Sequence, residues 1–181
     1  MVKIIAWGSL YWDSRELQMS SQWDPGGPSL PIEFSRVSAD GRLTLVVDPR
    51  AGAPVKTWTC DSPLALHDAV ANLSIRERCP TEDIGWVDLR SGDSSPHHKA
   101  TVQGVRDWCV ATDVTAAVWT ALPPTFLQVA RVPFSVENAL TYLDRLDGGV
   151  RQRAFEYIRR APETTMTAVR RSFDARWPQS R

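Results

Sequence analysis

Long apolar runs are missing from this chain of 181 residues. No stretch approaches the roughly 20 residues needed to span a bilayer, so no membrane partner is expected. An excess of one charge is missing too. Lys plus Arg is 21 and Asp plus Glu is 21, a formal net charge of zero, which argues against a nucleic-acid partner or an anionic surface. The arginine-rich tail (Arg159, Arg160, Arg170, Arg171, Arg176, Arg181) is a local exception and reads as a solvated helical face. Cysteine is scarce. Cys60, Cys79 and Cys109 are widely spaced and odd in number, giving neither a disulfide ladder nor a CxxC metal knuckle. With no signal-peptide pattern at the start, this predicts a reducing, cytoplasmic setting. Internal repeats and low-complexity linkers are also absent. One domain over 1–181 is expected, with a helical C-terminal extension over about 135–181.

What is present is ordinary globular composition, 43% hydrophobic and 23% charged, with eight tryptophans. Val2 to Trp7 reads as a buried strand, and residues 20–31, SSQWDPGGPSLP, read as loop. IEFSRVS (32–38), RLTLVVD (42–48) and VKTWTC (55–60) read as a meander, its first two strands joined by a hairpin at Asp40-Gly41. Asp61-Ser62-Pro63 announces a helix running to Cys79. IGWVDL, VQGVRDWCVATD and AAVWTAL are expected as further strands. Ser135 caps a helix stopped by Gly148-Gly149, and two more helical segments follow. Strands dominate early and helices finish the chain. The order predicts an α+β fold, a curled β-sheet or small β-barrel with flanking helices.

Two features point to chemistry. The first strand stops abruptly in Trp7-Gly8-Ser9-Leu10-Tyr11-Trp12, a tight turn set between aromatics. In the helix PLALHDAVANLSIRERC, Leu66, Val70 and Leu73 share a stripe that one further step extends to Glu77, with Arg76 and Arg78 pointing elsewhere. Leu64, Ala71 and Ile75 form a weaker opposite stripe, which would cover the helix on both sides. A carboxylate on an apolar stripe in the last helical turn is expected to have a raised pKa, useful for a general base. The competing reading places Glu77 beyond the core edge, or pairs it with an arginine such as Arg36.

The strand with AWGSLYW resembles the YGSL turn of the γ-glutamyl cyclotransferase superfamily, closest to its glutathione-specific branch. NLSIRE (72–77) resembles that branch's helix ending in Arg-Glu, and AAVWTALPPTF with FSVENALTYLDRL resembles its later strand, loop and helix. The resemblance implies that Gly8, Ser9 and Leu10 present backbone N–H groups to a substrate α-carboxylate. Trp7, Tyr11 and Trp12 would wall the site. Apart from the resemblance, Arg36, on the strand after the first loop, is a candidate to orient a carboxylate, with a structural salt bridge as the alternative. Glu77 would be the acid/base that closes 5-oxoproline from a small γ-glutamyl amine or peptide, with no metal and no cofactor. The alternative is a non-catalytic small-molecule-binding protein that keeps the fold, and a third possibility is an amidohydrolase. Trp7 stands where the family has Tyr, and Arg78 where other branches place Gly. Asp147, in LDRLDG, is a rival for the acid, though Asp before Gly-Gly is a common helix ending. His97-His98 reads as surface loop, Cys60 and Cys109 as inert core, and Ser9 lacks a nucleophile elbow. Oligomeric state is not encoded in any of these features.

Overall fold

In the computed structural model, which describes residues 1–178, the elements run in chain order as follows. They are β1 (Val2–Ala6), α1 (Ser9–Trp12), β2 (Ser29–Val37), β3 (Leu43–Val47), β4 (Ala53–Lys56), β5 (Trp58–Ser62) and α2 (Leu66–Glu77). Then come β6 (Ile84–Asp88), α3 (Lys99–Ala111), β7 (Ala116–Thr120), α4 (Phe126–Ala130), α5 (Val136–Arg145), α6 (Gly148–Arg160) and α7 (Ala168–Arg176). Arg181, last of the arginine-rich tail, lies outside the described residues. The chain gathers into two compact units: Met1–Leu30 with Lys56–Leu122, and Pro31–Val55 with Pro123–Arg181.

The first unit holds a four-stranded sheet ordered β5-β1-β7-β6. β1 runs antiparallel to β5 and parallel to β7, and β6 is antiparallel to β7. Because β1 is central, Ile4 and its neighbour Ile5 are both buried although they point to opposite faces. α2 covers one face: Ala69 and Leu73 pack with Val2, Ile4, Ala6 and Val118. α3 packs against β6 and β7 and buries Val102, Val105 and Cys109. Gly85 pairs with Trp119 across β6 and β7. A Cβ at position 85 would come within 2.2 Å of the indole, so only glycine lets Trp119 lie over that strand. The Pro- and Gly-rich loop is tied along β5. Asp24 and Thr59 exchange backbone bonds of 2.7 and 2.8 Å, and the Gly27 N–H donates to the Thr57 carbonyl at 3.1 Å. The loop thereby covers backbone of an edge strand.

The second unit holds a three-stranded sheet ordered β3-β2-β4. Its hairpin closes as expected: Gly41 takes φ +80°, and its N–H donates to the Ser38 carbonyl at 2.9 Å. α6 packs on β3, and α5 packs on α6 and α7. Glu33 of β2 is 1% exposed, and its carboxylate accepts from the N–H groups of Phe34, Ala168 and Val169. Two of those donors open α7, so a buried acid caps that helix.

The α+β class holds, but both sheets are open and no closed barrel forms among the described residues. VQGVRDWCVATD lies largely in α3 and is not a strand. The 55–60 strand breaks at Thr57, whose hydroxyl donates to the Pro28 carbonyl at 2.7 Å, leaving its halves in different sheets. α2 begins at Leu66, later than Ser62-Pro63 suggested, because Ser62 completes β5. It also ends at Glu77, short of Cys79. Gly148-Gly149 opens α6, with Leu146 ending the preceding helix.

Candidate functional site

The turn after β1 folds into α1, one turn of helix. The Tyr11 N–H donates to the Gly8 carbonyl at 2.9 Å, and the Asp13 N–H to the Ser9 carbonyl at 2.8 Å. Leu10 anchors it, being 4% exposed and packed in the same apolar cluster as Ala69 and Leu73 of α2. Trp7 is buried, while Ser9, Tyr11 and Trp12 are half-buried. Tyr11 stacks on Trp58 of β5 with ring centroids 4.6 Å apart, and lies 6.2 Å from Trp23 of the loop along β5. The indole N–H groups of Trp23 and Trp58 are buried without a hydrogen-bond partner among the described residues. Two orphan donors beside the turn leave room for an acceptor to be recognised there.

α2 holds the chain that leaves α1. Asn72 accepts from the Gln18 N–H at 2.8 Å and donates to the Glu16 carbonyl at 3.1 Å. One turn later Arg76 donates from Nε to the Asp13 carbonyl at 3.2 Å, and its Nη2 donates to the same oxygen. The remaining nitrogen, Nη1, lies 2.7 Å from Glu77 Oε1. The Arg76 side chain is 2% exposed and that of Glu77 16%. A single guanidinium thus separates the Glu77 carboxylate from the last carbonyl of the Gly8–Asp13 turn. Glu77 Oε2 makes no hydrogen bond among the described residues.

The helical stripe differs from expectation. Ala69, Leu73 and Arg76 are buried, with Leu66, Val70 and Glu77 half-buried along the edge. Arg76 is therefore the charged residue that points inward, and Glu77 flanks it as counter-ion. Ile75 is 66% exposed, while Ala71 is half-buried and Leu64 packs against the core cluster, so the opposite stripe is covered only in part. Asn72 and Arg76 escaped the sequence reading. Their signal was the spacing of four, which sets two long donors on one face of α2.

Arg36 belongs to the second unit, where its guanidinium donates to the Pro123 carbonyl at 2.9 Å. Asp147 is exposed and precedes α6, its carbonyl accepting from the Arg151 N–H. Burial pushes the Cys60 thiol up to about 12 and the Cys109 thiol up to about 11, so both are protonated at neutral pH and poor nucleophiles. His97 Nδ1 sits 2.9 Å from Ser95 Oγ. Among the described residues no group of three His, Cys, Asp or Glu side chains is placed to hold a metal, and no helix is long and apolar enough to cross a membrane. In comparisons with protein-family models, curated proteins and solved structures, nothing matches this chain.

Proposed function

We propose that the chain is a γ-glutamyl cyclotransferase-like enzyme that releases 5-oxoproline from a small γ-glutamyl amine or peptide. The observation that carries this reading is the Arg76 guanidinium, which joins the Glu77 carboxylate to the carbonyl of Asp13, the residue that closes the helical turn begun at Gly8-Ser9-Leu10. In the proposed reaction, backbone N–H groups of that turn receive the substrate α-carboxylate. Glu77 Oε2 takes a proton from the α-ammonium while Arg76 holds Oε1. The freed amine attacks its own γ-carbonyl and the five-membered ring closes. As the tetrahedral intermediate collapses, the ring nitrogen sheds its second proton and the leaving amine departs protonated, with one proton returned by Glu77 and one from the ring nitrogen. Intramolecular attack makes positioning the main requirement, and half-buried Tyr11 and Trp12 with buried Trp7 would keep water from competing. The free thiols of Cys60 and Cys109 accord with a reducing, cytoplasmic setting for γ-glutamyl chemistry.

The Arg76–Glu77 ion pair also favours a second reading: a binding protein of the same fold, in which Glu77 serves only as counter-ion to a buried arginine. One experiment separates them. Release of 5-oxoproline is measured across a panel of γ-glutamyl amines and peptides for wild type and Glu77→Gln. The enzyme reading expects product from wild type and a loss of roughly 100-fold or more in the variant, the usual scale of general acid–base catalysis. Equal product from both removes Glu77 from the mechanism. No product from wild type on any compound leaves the binding protein.

A further inference from the structure

α6 carries a feature that the cyclotransferase reading does not use. Phe155 lies in its second half, with Arg151 one turn before and Arg159 one turn after. The guanidinium carbons sit 5.0 and 5.6 Å from the Phe155 ring centroid, so both cations are stacked on one ring. The ring is itself fixed. Phe173 packs edge-on at 4.8 Å and Trp177 at 4.8 Å, and Arg176 stacks 5.2 Å from Trp177. Arginine normally loses much rotamer freedom when it grips a ligand; here stacking has already removed it.

The charge is unbalanced. From Gly148 to Arg176 the chain has seven arginines, no lysine and three acids; Asp144, paired with Arg176 and 3.8 Å from Arg151 Nη2, and Asp40, 3.8 Å from Arg153 Nε, offset part of that excess from outside the span. Among the described residues Arg159 makes no salt bridge, and its Nε is buried without a partner. A groove of about 720 Å³ runs along this face, lined chiefly by Arg151, Gln152, Phe155, Glu156, Arg159 and Arg160. Its one acid, Glu156, is 3.4 Å from Arg160 Nη1 and so is offset within the groove. That volume suits a small molecule.

We propose that this groove binds a small molecule carrying two or more linked phosphate groups. The guanidiniums stand on either side of Phe155, so a ligand with negative groups in series can meet both, whereas a lone phosphate meets one. Planar guanidinium forks match phosphate oxygens in pairs. The aromatic faces are already occupied by arginine, so recognition rests on the phosphates and tolerates different attached groups. The site stands independently of the cyclotransferase reading.

The test is calorimetric titration of the full chain with inorganic tripolyphosphate, ATP and inorganic phosphate. Tripolyphosphate and ATP should bind comparably, and both at least about tenfold more tightly than phosphate. Arg151→Gln and Arg159→Gln should each weaken tripolyphosphate about tenfold, the scale of one charge-assisted hydrogen bond. Arg90→Gln, on an exposed residue of the first unit, should change nothing. Glu156→Gln should tighten binding about two- to fivefold, and this variant decides the matter if the arginine variants lose their helical signal. The proposal is overturned if wild type binds neither polyphosphate at millimolar concentration, or if Arg90→Gln weakens binding as much as Arg159→Gln. It is equally overturned if only nucleic acid binds, with affinity growing with strand length.

Discussion

Arg76 shows how one side chain can set a local structure. Its five donors fit a task that a compact ammonium cannot perform, gripping a backbone carbonyl on one side and a carboxylate on the other. Arg76→Ala would strand a partly buried Glu77 and loosen the chain after α1, at a cost of about 3–5 kcal/mol in urea unfolding. Arg76→Lys should recover less than half of that loss; full recovery would mean the guanidinium geometry is unimportant. Glu33 makes a different case. Burial, the largest influence, raises its pKa above 4.5 despite hydrogen bonds from Thr167, Phe34, Val169 and Ala168 that pull it down. A carboxyl raised in the folded state favours folding most when protonated. Its contribution is therefore complete below about pH 4.5 and fades as pH climbs through the raised value. The stability margin of wild type over Glu33→Gln should accordingly narrow with rising pH, measured by urea titrations between pH 4 and 8. A margin that widens would contradict the assignment.

At the scale of elements, the end of α2 explains a residue that the sequence left odd. Arg78 adopts φ +54°, its N–H bonds to the Ile75 carbonyl, and the Cys79 N–H bonds to that of Ser74 at 3.2 Å. This pairing closes a helix in the left-handed conformation that glycine adopts without penalty. Arg78→Gly should therefore keep or raise stability, by up to about 1 kcal/mol, as judged by thermal unfolding. Arg78→Val should lower it. β1, the hairpin, β6, β7 and the Ser135 cap were legible because periodicity and turn chemistry agreed there. α3 was misread because Val102, Val105, Trp108 and Val110 favour strands, although Thr101, Val105 and Cys109 recur at helical spacing and are buried. The division of 55–60 between two sheets depends on pairing partners far away in sequence, which local patterns do not contain. In the candidate site, the turn and the glutamate were visible as residue types. The arginine between them was not, because a cation is the last residue expected on a core-facing stripe.

Over the whole molecule, the chain builds its two units by crossing between them near residues 30, 55 and 122. Each unit is made of two separate segments, so a single cut cannot excise either one intact. A chain ending at Leu122 would keep all four strands of the first sheet, but β2 and β3 would lose α5, α6 and α7. Amide hydrogen exchange should then show protection retained in β1 and β7 and lost across 31–55; retained protection in 31–55 would refute this account. The Glu33 cap carries the same lesson into time. Its carboxylate waits for the Ala168 N–H, 135 residues further along. At the usual pace of synthesis, about 5–20 residues per second, that delay is roughly 7 to 27 seconds. For most of it, the apolar face of β2 lacks the helices of its own unit, including α6, whose Tyr157 packs on Phe34. The nascent chain is most exposed to sticking or to capture by a chaperone in that interval, and substitutions near Glu33 should show themselves in yield before they show themselves in activity.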